Sequence, residues 1–167
     1  MAAQAGTMVA ARFASEHDAR LHLDAVGVMH DWDTIAVIDA AMIVKDQDGK
    51  VHVRETRELT VRKGALRGGL ITGIVGLIFP PSLIASVVAG GAIGGLLGRL
   101  KDTGVKGDTF RELASKIEPG QAVVVVLTEP EFAPQVQGAL TSTGAELIVQ
   151  PIDDETMKRL YTVGQQE

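Results

Sequence analysis

The stretch GGLITGIVGLIFPPSLIASVVAGGAIGGLLG, residues 68–98, decides how the rest of the chain is organised. It contains no charged residue and holds nine of the chain's 19 glycines. A helix that spans a bilayer needs about 20 apolar residues, and a buried helix of a small domain rarely needs so long an uncharged run. Because Pro81 has no amide N–H and Pro80 disfavours the helical conformation of the residue before it, one continuous helix is excluded. The stretch therefore predicts a helical hairpin.

The predicted hairpin is an insertion over residues 64–101. Its first helix runs from Gly64 to Ile78, its second helix runs from Leu83 to Leu100, and the tip between them contains Phe79, Pro80 and Pro81. A first helix of this length measures roughly 22 Å at about 1.5 Å per residue, which is shorter than a hydrocarbon core of about 30 Å. The hairpin is therefore expected either to span a thin bilayer or to dip into it and return.

Small residues recur every four positions along both predicted helices. Such spacing lets two helices approach until their backbones touch, and this packing supplies an attraction that lipid does not. In water each glycine would cost about 1 kcal/mol relative to alanine, so a glycine face is expected to be an interface. The predicted packing and oligomerisation residues are Gly69, Gly73, Gly76, Ser82, Ser86, Gly90, Gly91, Gly94, Gly95 and Gly98.

Basic residues flank both ends of the stretch. They are Arg62, Lys63, Arg67, Arg99 and Lys101. Positive flanks favour the cytoplasmic side of a membrane, and anionic lipid headgroups attract them. The alternative is a soluble assembly in which hairpins from neighbouring subunits bury one another, because an apolar surface of this size must be covered.

Composition narrows the partners and the compartment. The net charge is −5 and the pI is about 5.4, which argues against a nucleic-acid partner. Without cysteine the chain forms no disulfide, no thiolate metal site and no cysteine nucleophile. The first residues contain no basic segment followed by an apolar one, so no signal peptide is expected. The predicted location is the cytoplasmic side of the inner membrane, or the cytoplasm for a soluble assembly.

Outside the hairpin the chain alternates strand and helix patterns. The predicted strands are Thr7–Ala14, Thr34–Lys45, Val51–Leu59 and Ala122–Leu127, and the predicted helices run from Ser15 to Asp31 and from Asp108 to Ile117. This βαββαβ order is that of a ferredoxin-like α+β domain, here made of residues 7–63 and 102–128. Residues 129–167 are predicted to form a C-terminal extension of helix, strand and helix.

The first helix is expected to have two apolar faces. Apolar residues recur at helical spacing in two separate sets. One set is Ala19, Leu23 and Val26, and the other is Leu21, Ala25, Val28 and Trp32.

No residue pattern predicts catalysis. His17 and His22 diverge by about 140° on a helix, which does not suit a shared metal. Asp46-x-Asp48-Gly49 imitates the start of a calcium loop, but the strand-like residues after it predict a hairpin turn. The motifs of serine hydrolases, phosphate loops and dinucleotide sites are absent from the sequence. We therefore predict no enzyme, no catalytic residue, no cofactor, no metal and no small-molecule substrate.

Five pieces of the sequence resemble a known family. They are IVKDQDGKVHV (43–53), GALRGGLITGIVGLIFPP (64–81), GGAIGGLLGRLKDTGV (90–105), LASKIEPGQAVVVVL (113–127) and GAELIVQPIDDETMKRL (144–160). They resemble the bacterial family of domains of unknown function numbered 1269. The resemblance implies membrane association without an assigned activity, and it carries over no catalytic residue.

Two functions remain open at this point. The first is a membrane-associated structural or organising protein that homo-oligomerises through its glycine-zipper hairpin, so that its partners are its own copies and the membrane. The second is a soluble self-assembling protein (a shell, ring or filament) whose hairpin is buried between subunits.

Overall fold

A computed structural model describes residues 4–55, 84–86, 112–113, 115–141 and 145–158. The described elements are β1 (Gln4–Phe13), α1 (Glu16–Asp31), β2 (Val37–Lys45), β3 (Val51–Glu55), β4 (Ile84–Ser86), β5 (Ala122–Thr128), α2 (Ala133–Leu140) and β6 (Glu146–Asp153). A 3₁₀ turn at Pro130–Phe132 leads into α2, and residues 154–158 after β6 are helical. The predicted α+β class is confirmed.

The strands form one six-stranded sheet in the order β4-β3-β2-β5-β1-β6. All neighbours are antiparallel except β3 and β4, which are parallel. Every residue of β5 is buried, as expected for a central strand covered on both faces. The run of valines in this strand therefore marks the middle of the sheet.

The strand order differs from the one that the predicted βαββαβ assignment requires. In that assignment the strand at residues 51–59 lies between the first two strands, whereas in the structure β5 lies there and β3 pairs with β2 and β4. The reason is hydrophobicity: β5 is apolar on both faces, whereas β3 carries His52, Arg54 and Glu55 and suits a place near the sheet edge.

The region predicted as an extension, residues 129–167, contributes to this same sheet. Strand β6 pairs with β1 from Gln4↔Asp153 to Arg12↔Glu146. Helix α2 packs on β1 and β5. Asp153 caps the following helical residues, because its Oδ1 accepts the Thr156 N–H at 2.6 Å.

One face of the sheet packs against the two helices. Alternate residues of β1, β2 and β5 point to this side and meet apolar residues of α1 and α2. This core consists of Val9, Ala11, Phe13, Ala40, Met42, Val44, Ala122, Val124 and Val126 from the strands, Ala19, Leu23, Val26, Val136 and Leu140 from the helices, and Ile35 from the segment before β2.

The opposite face of the sheet is buried as well. Its buried residues include Met8, Ala10, Ile43, Val125 and Leu127. Residues 116 and 117 contact side chains of this face: Arg12 Nη1 donates to the Lys116 carbonyl at 2.8 Å, and Lys45 Nζ donates to the Ile117 carbonyl at 3.1 Å. In the described part of the chain, the central strands of the sheet are therefore buried on both faces.

One predicted helix is wrong at its start. The helix expected from Leu83 to Leu100 is replaced at Ile84–Ser86 by β4, which pairs with β3 in the register Val51↔Ile84 and His52↔Ser86. An open strand edge leaves backbone N–H and C=O groups unpaired, and a β-branched residue such as Ile84 suits a strand. Pairing with β3 therefore overrides the helical spacing at Ser86.

Within the described residues, no helix combines the length and the apolar character that crossing a membrane requires.

Candidate functional site

Most residues of the predicted hairpin site lie outside the described part of the chain. These are the packing residues Gly69, Gly73, Gly76, Ser82, Gly90, Gly91, Gly94, Gly95 and Gly98, the tip residues Phe79, Pro80 and Pro81, and the flanking residues Arg62, Lys63, Arg67, Arg99 and Lys101. Their roles stay predictions. Ser86 is described, and it ends β4.

Helix α1 begins and packs as its sequence predicts. The Ser15 side chain accepts the Asp18 N–H at 3.1 Å and caps the first turn. Ala19, Leu23 and Val26 are buried against the sheet. Burying a side chain such as Leu23 contributes about 1.5–3 kcal/mol, so this face holds α1 in place.

The other apolar set of α1 faces solvent. Leu21 is 54% exposed, Val28 is 55% exposed and Trp32 is 80% exposed. Ala25 between them is exposed too. At about 100° per residue the four residues fall within a sector of roughly 60°, opposite the buried set. We call these four residues, Leu21, Ala25, Val28 and Trp32, the α1 outer face.

Trp32 belongs to this face because the last turn of the helix continues to it. It is the C-cap of α1, and its backbone N–H donates to the Val28 carbonyl at 3.0 Å. Contiguous apolar patches that a folded protein leaves in solvent are typical of interaction sites. The α1 outer face is such a patch in the described part of the protein.

A second polar constellation lies at the turn between β2 and β3. Asp46 Oδ1 accepts the N–H groups of Asp48 and Lys50, each at 2.9 Å. Asp46 Oδ2 accepts from His52 Nε2 at 2.6 Å. The hydrogen bond from His52, followed by the one from Lys50, lowers the pKa of Asp46 below its ordinary value. The carboxylate thus holds the turn, which confirms the predicted hairpin at this position.

Two turns meet next to this constellation. Gly49 in the predicted turn has a positive φ of 80°, and Gly120 in the neighbouring turn has a φ of 86°. The Gly120 N–H donates to the Lys45 carbonyl at 2.8 Å, and the Lys45 N–H donates to the Gln121 carbonyl at 3.2 Å. Two hydrogen bonds therefore join the turn that carries the Asp46–His52 pair to the turn at Gly120.

Two other histidines, His22 and His30, have separate structural partners. His22 Nδ1 donates to the Asp18 carbonyl at 2.7 Å, and its ring lies 4.6 Å from that of Phe13. His30 Nδ1 accepts the Val37 N–H at 3.2 Å and joins the end of α1 to the start of β2. Within the described residues, no group of three or more histidine or acidic side chains is placed to hold a metal.

A charged cluster that joins three segments was not predicted from the sequence. Glu146 lies between Arg12 at 3.3 Å and Lys116 at 3.2 Å, and Lys116 also meets Glu112 at 3.3 Å. Hydrogen bonding to Glu146, and then to Glu112, raises the pKa of Lys116. Arg12, Lys116 and Glu146 are far apart in sequence, so no local pattern predicts their contact. Because the cluster is largely exposed, it contributes little stability.

Comparison with known proteins identifies a family. A family model described as a protein of unknown function, DUF1269, matches residues 65–163. The matched range contains the glycine-rich stretch, β5, α2 and β6, but not residues 43–53, to which the resemblance in the sequence extends. No curated protein and no solved structure matches this chain.

Proposed function

The chain belongs to the DUF1269 family of proteins of unknown function, and from this premise we propose that it is a non-enzymatic structural protein. In this proposal it homo-oligomerises through its glycine-rich segment and is held at the cytoplasmic side of the inner membrane. The observation that carries the proposal is the uncharged stretch 68–98 with its four-residue glycine spacing and basic flanks. Such spacing favours close helix packing, and such flanks favour anionic lipid.

The polar groups of the folded part support a structural role. The Asp46 carboxylate accepts hydrogen bonds from two N–H groups of its own turn and from His52. His30 accepts a backbone N–H, and His22 donates to a backbone carbonyl. These side chains stabilise turns and connections, which is the use expected of polar groups in a scaffold.

We further infer that the described part of the chain is a ferredoxin-like unit, built from a different set of four strands than the sequence predicts. Its four strands would be β1, β2, β5 and β6, in the spatial order β6-β1-β5-β2. Helix α1 connects β1 to β2 with β5 between them, and α2 connects β5 to β6 with β1 between them. This interleaving of two βαβ units supports the inference. The glycine-rich segment would then be an insertion between the second and third strands, with β3 and β4 added at the sheet edge.

A second candidate function is favoured by β4. Ile84–Ser86 lie within the uncharged stretch, yet they pair with β3 in the sheet of the folded unit. Part of the stretch thus pairs with the protein's own sheet. In a soluble assembly, the rest of the stretch would likewise be buried by protein, between subunits.

Membrane fractionation distinguishes the two candidates. Membranes from cells expressing the full chain are washed with alkaline carbonate, which removes proteins attached only to the surface. The membrane proposal expects the protein in the pellet, and its release into the supernatant would contradict that proposal. Purification without detergent as a discrete large particle would support the soluble assembly instead.

A further inference from the structure

The α1 outer face is an apolar surface that is exposed in the described part of the chain. Leu23 and Val26 on the opposite side of α1 are buried, so the helix is already anchored without this face. Removing apolar area from water is favourable by about 25 cal/mol per Å². Trp32, the most exposed of the large apolar residues, therefore has the most to gain from a partner.

The spacing of the α1 outer face fits a helix. The positions 21, 25, 28 and 32 alternate steps of four and three residues, which is the spacing of the seam along which two helices pack. The seam is roughly 16 Å long at about 1.5 Å per residue, or three turns. An amphipathic helix laid along such a seam uses anchors at the same spacing.

The charge beside this face selects the kind of helix. Asp18 and Asp24 flank the stripe on either side and are both exposed. Along Glu16–Asp31 there are four carboxylates and one guanidinium, and that guanidinium, Arg20, pairs with Glu16 at 3.2 Å. A second copy of α1 would bring the same negative rim, and an anionic lipid surface would be repelled too. Positive charge complements this rim, steers encounter and disfavours other partners.

We propose that the α1 outer face is a docking site for a basic amphipathic helix of another protein. The apolar side of that helix packs on Leu21, Val28 and Trp32, and its lysine or arginine side chains lie beside Asp18 and Asp24. This inference does not depend on the glycine-rich segment, so it can be tested independently of the proposed function.

The test uses the fluorescence of Trp32, which is the chain's single tryptophan. The purified full-length chain is titrated at pH 8 with an 18-residue amphipathic peptide of leucine and lysine. The matched probe is a peptide with the same leucine positions and glutamate in place of lysine. We expect a saturable blue shift of the emission with the lysine peptide, and at least tenfold weaker binding of the glutamate peptide. Equal binding of both peptides, or no shift with either, would overturn the proposal.

Three variants localise the effect. Leu21→Ser combined with Val28→Ser is expected to weaken binding of the lysine peptide about tenfold. Val149→Ser, which changes an exposed valine of β6, is the control and is expected to leave binding unchanged. Asp24→Lys is expected to reverse the preference between the two peptides, and this reversal is readable even if the serine variants fold poorly. An unchanged preference in Asp24→Lys would contradict the charge argument.

Two titrations without peptide address the other occupants. A blue shift that grows with protein concentration would identify a second copy as the partner and overturn the proposal. A larger shift with vesicles of phosphatidylglycerol than with vesicles of phosphatidylcholine would identify an anionic membrane and overturn it as well. The proposal expects neither shift.

Discussion

The Nε2 atom of His52 lies 2.6 Å from Oδ2 of Asp46 across the turn that joins β2 to β3. Because the other oxygen of the same carboxylate accepts two backbone N–H groups, this side chain closes the turn from both sides. This turn also contacts the turn around Gly120. The Gly120 N–H donates to the Lys45 carbonyl, and the Lys45 N–H donates to the Gln121 carbonyl. One acidic residue therefore joins the end of β2 to the start of β3.

Replacing that residue is expected to destabilise the protein. Asp46→Ala removes the acceptor of two backbone N–H groups and of His52, so we expect a lower urea midpoint with an unchanged m value. Asp48→Ala in the same turn keeps these acceptors and is the matched control. Equal midpoints for the two variants, measured by circular dichroism, would contradict the role assigned to Asp46.

The same carboxylate predicts a dependence on pH. Its pKa is lowered in the folded state, chiefly by the hydrogen bond from His52. A lowered pKa contributes stability that is present above the ordinary value of about 4 and is lost as the pH falls through the folded value. The difference in urea midpoint between the wild type and Asp46→Ala is therefore expected to be constant from pH 5 to pH 6 and to shrink below pH 4. A difference that grows below pH 4 would argue against this linkage.

Two glycines predict opposite effects of the same substitution. Gly120 has a φ of 86°, which alanine adopts at a cost of about 1–2 kcal/mol, so Gly120→Ala should lower the free energy of unfolding. Gly138 lies in α2, and a methyl group there meets no atom within 4 Å. Gly138→Ala should raise the free energy of unfolding by about 0.5–1 kcal/mol. Urea titrations of both variants check the pair, and effects of the same sign would contradict it.

The two faces of α1 predict a contrast between two leucines. Leu23 is 2% exposed and packs in the core, so Leu23→Ala is expected to cost about 2–5 kcal/mol of unfolding free energy. Leu21 lies on the α1 outer face, and Leu21→Ala should change the unfolding free energy by no more than about 0.5 kcal/mol. Thermal and urea unfolding measure both values. A large loss at Leu21 would show that this face is packed within the protein.

The glycine spacing predicts a packing defect. Gly94→Leu places a side chain where the proposed stripe brings backbones together, so the oligomer should become smaller or dissociate. Ala92→Leu is the matched control, because two positions along a helix lie about 200° apart and this residue faces away from the stripe. Light scattering measures particle size for both variants. An unchanged size in Gly94→Leu would refute packing through this stripe.

Local features of this protein were predictable from its sequence. The Ser15 cap, the positive φ of Gly49 and the buried run of β5 each depend on residues a few positions apart. The two apolar faces of α1 were predictable for the same reason, since helical spacing alone defines them. For the candidate site, the sequence thus predicted which residues share a face.

The pairings between distant segments depend on the tertiary structure. β5 lies between β1 and β2, β6 pairs with β1, and Ile84–Ser86 form a strand where helical spacing predicts a helix. An alternating or apolar strand pattern is compatible with several neighbours, and the choice depends on which edges and faces remain to be covered. In the same way, spacing made the α1 outer face apolar. Only the packing of Leu23 and Val26 into the core decided that Leu21, Val28 and Trp32 would be left in solvent.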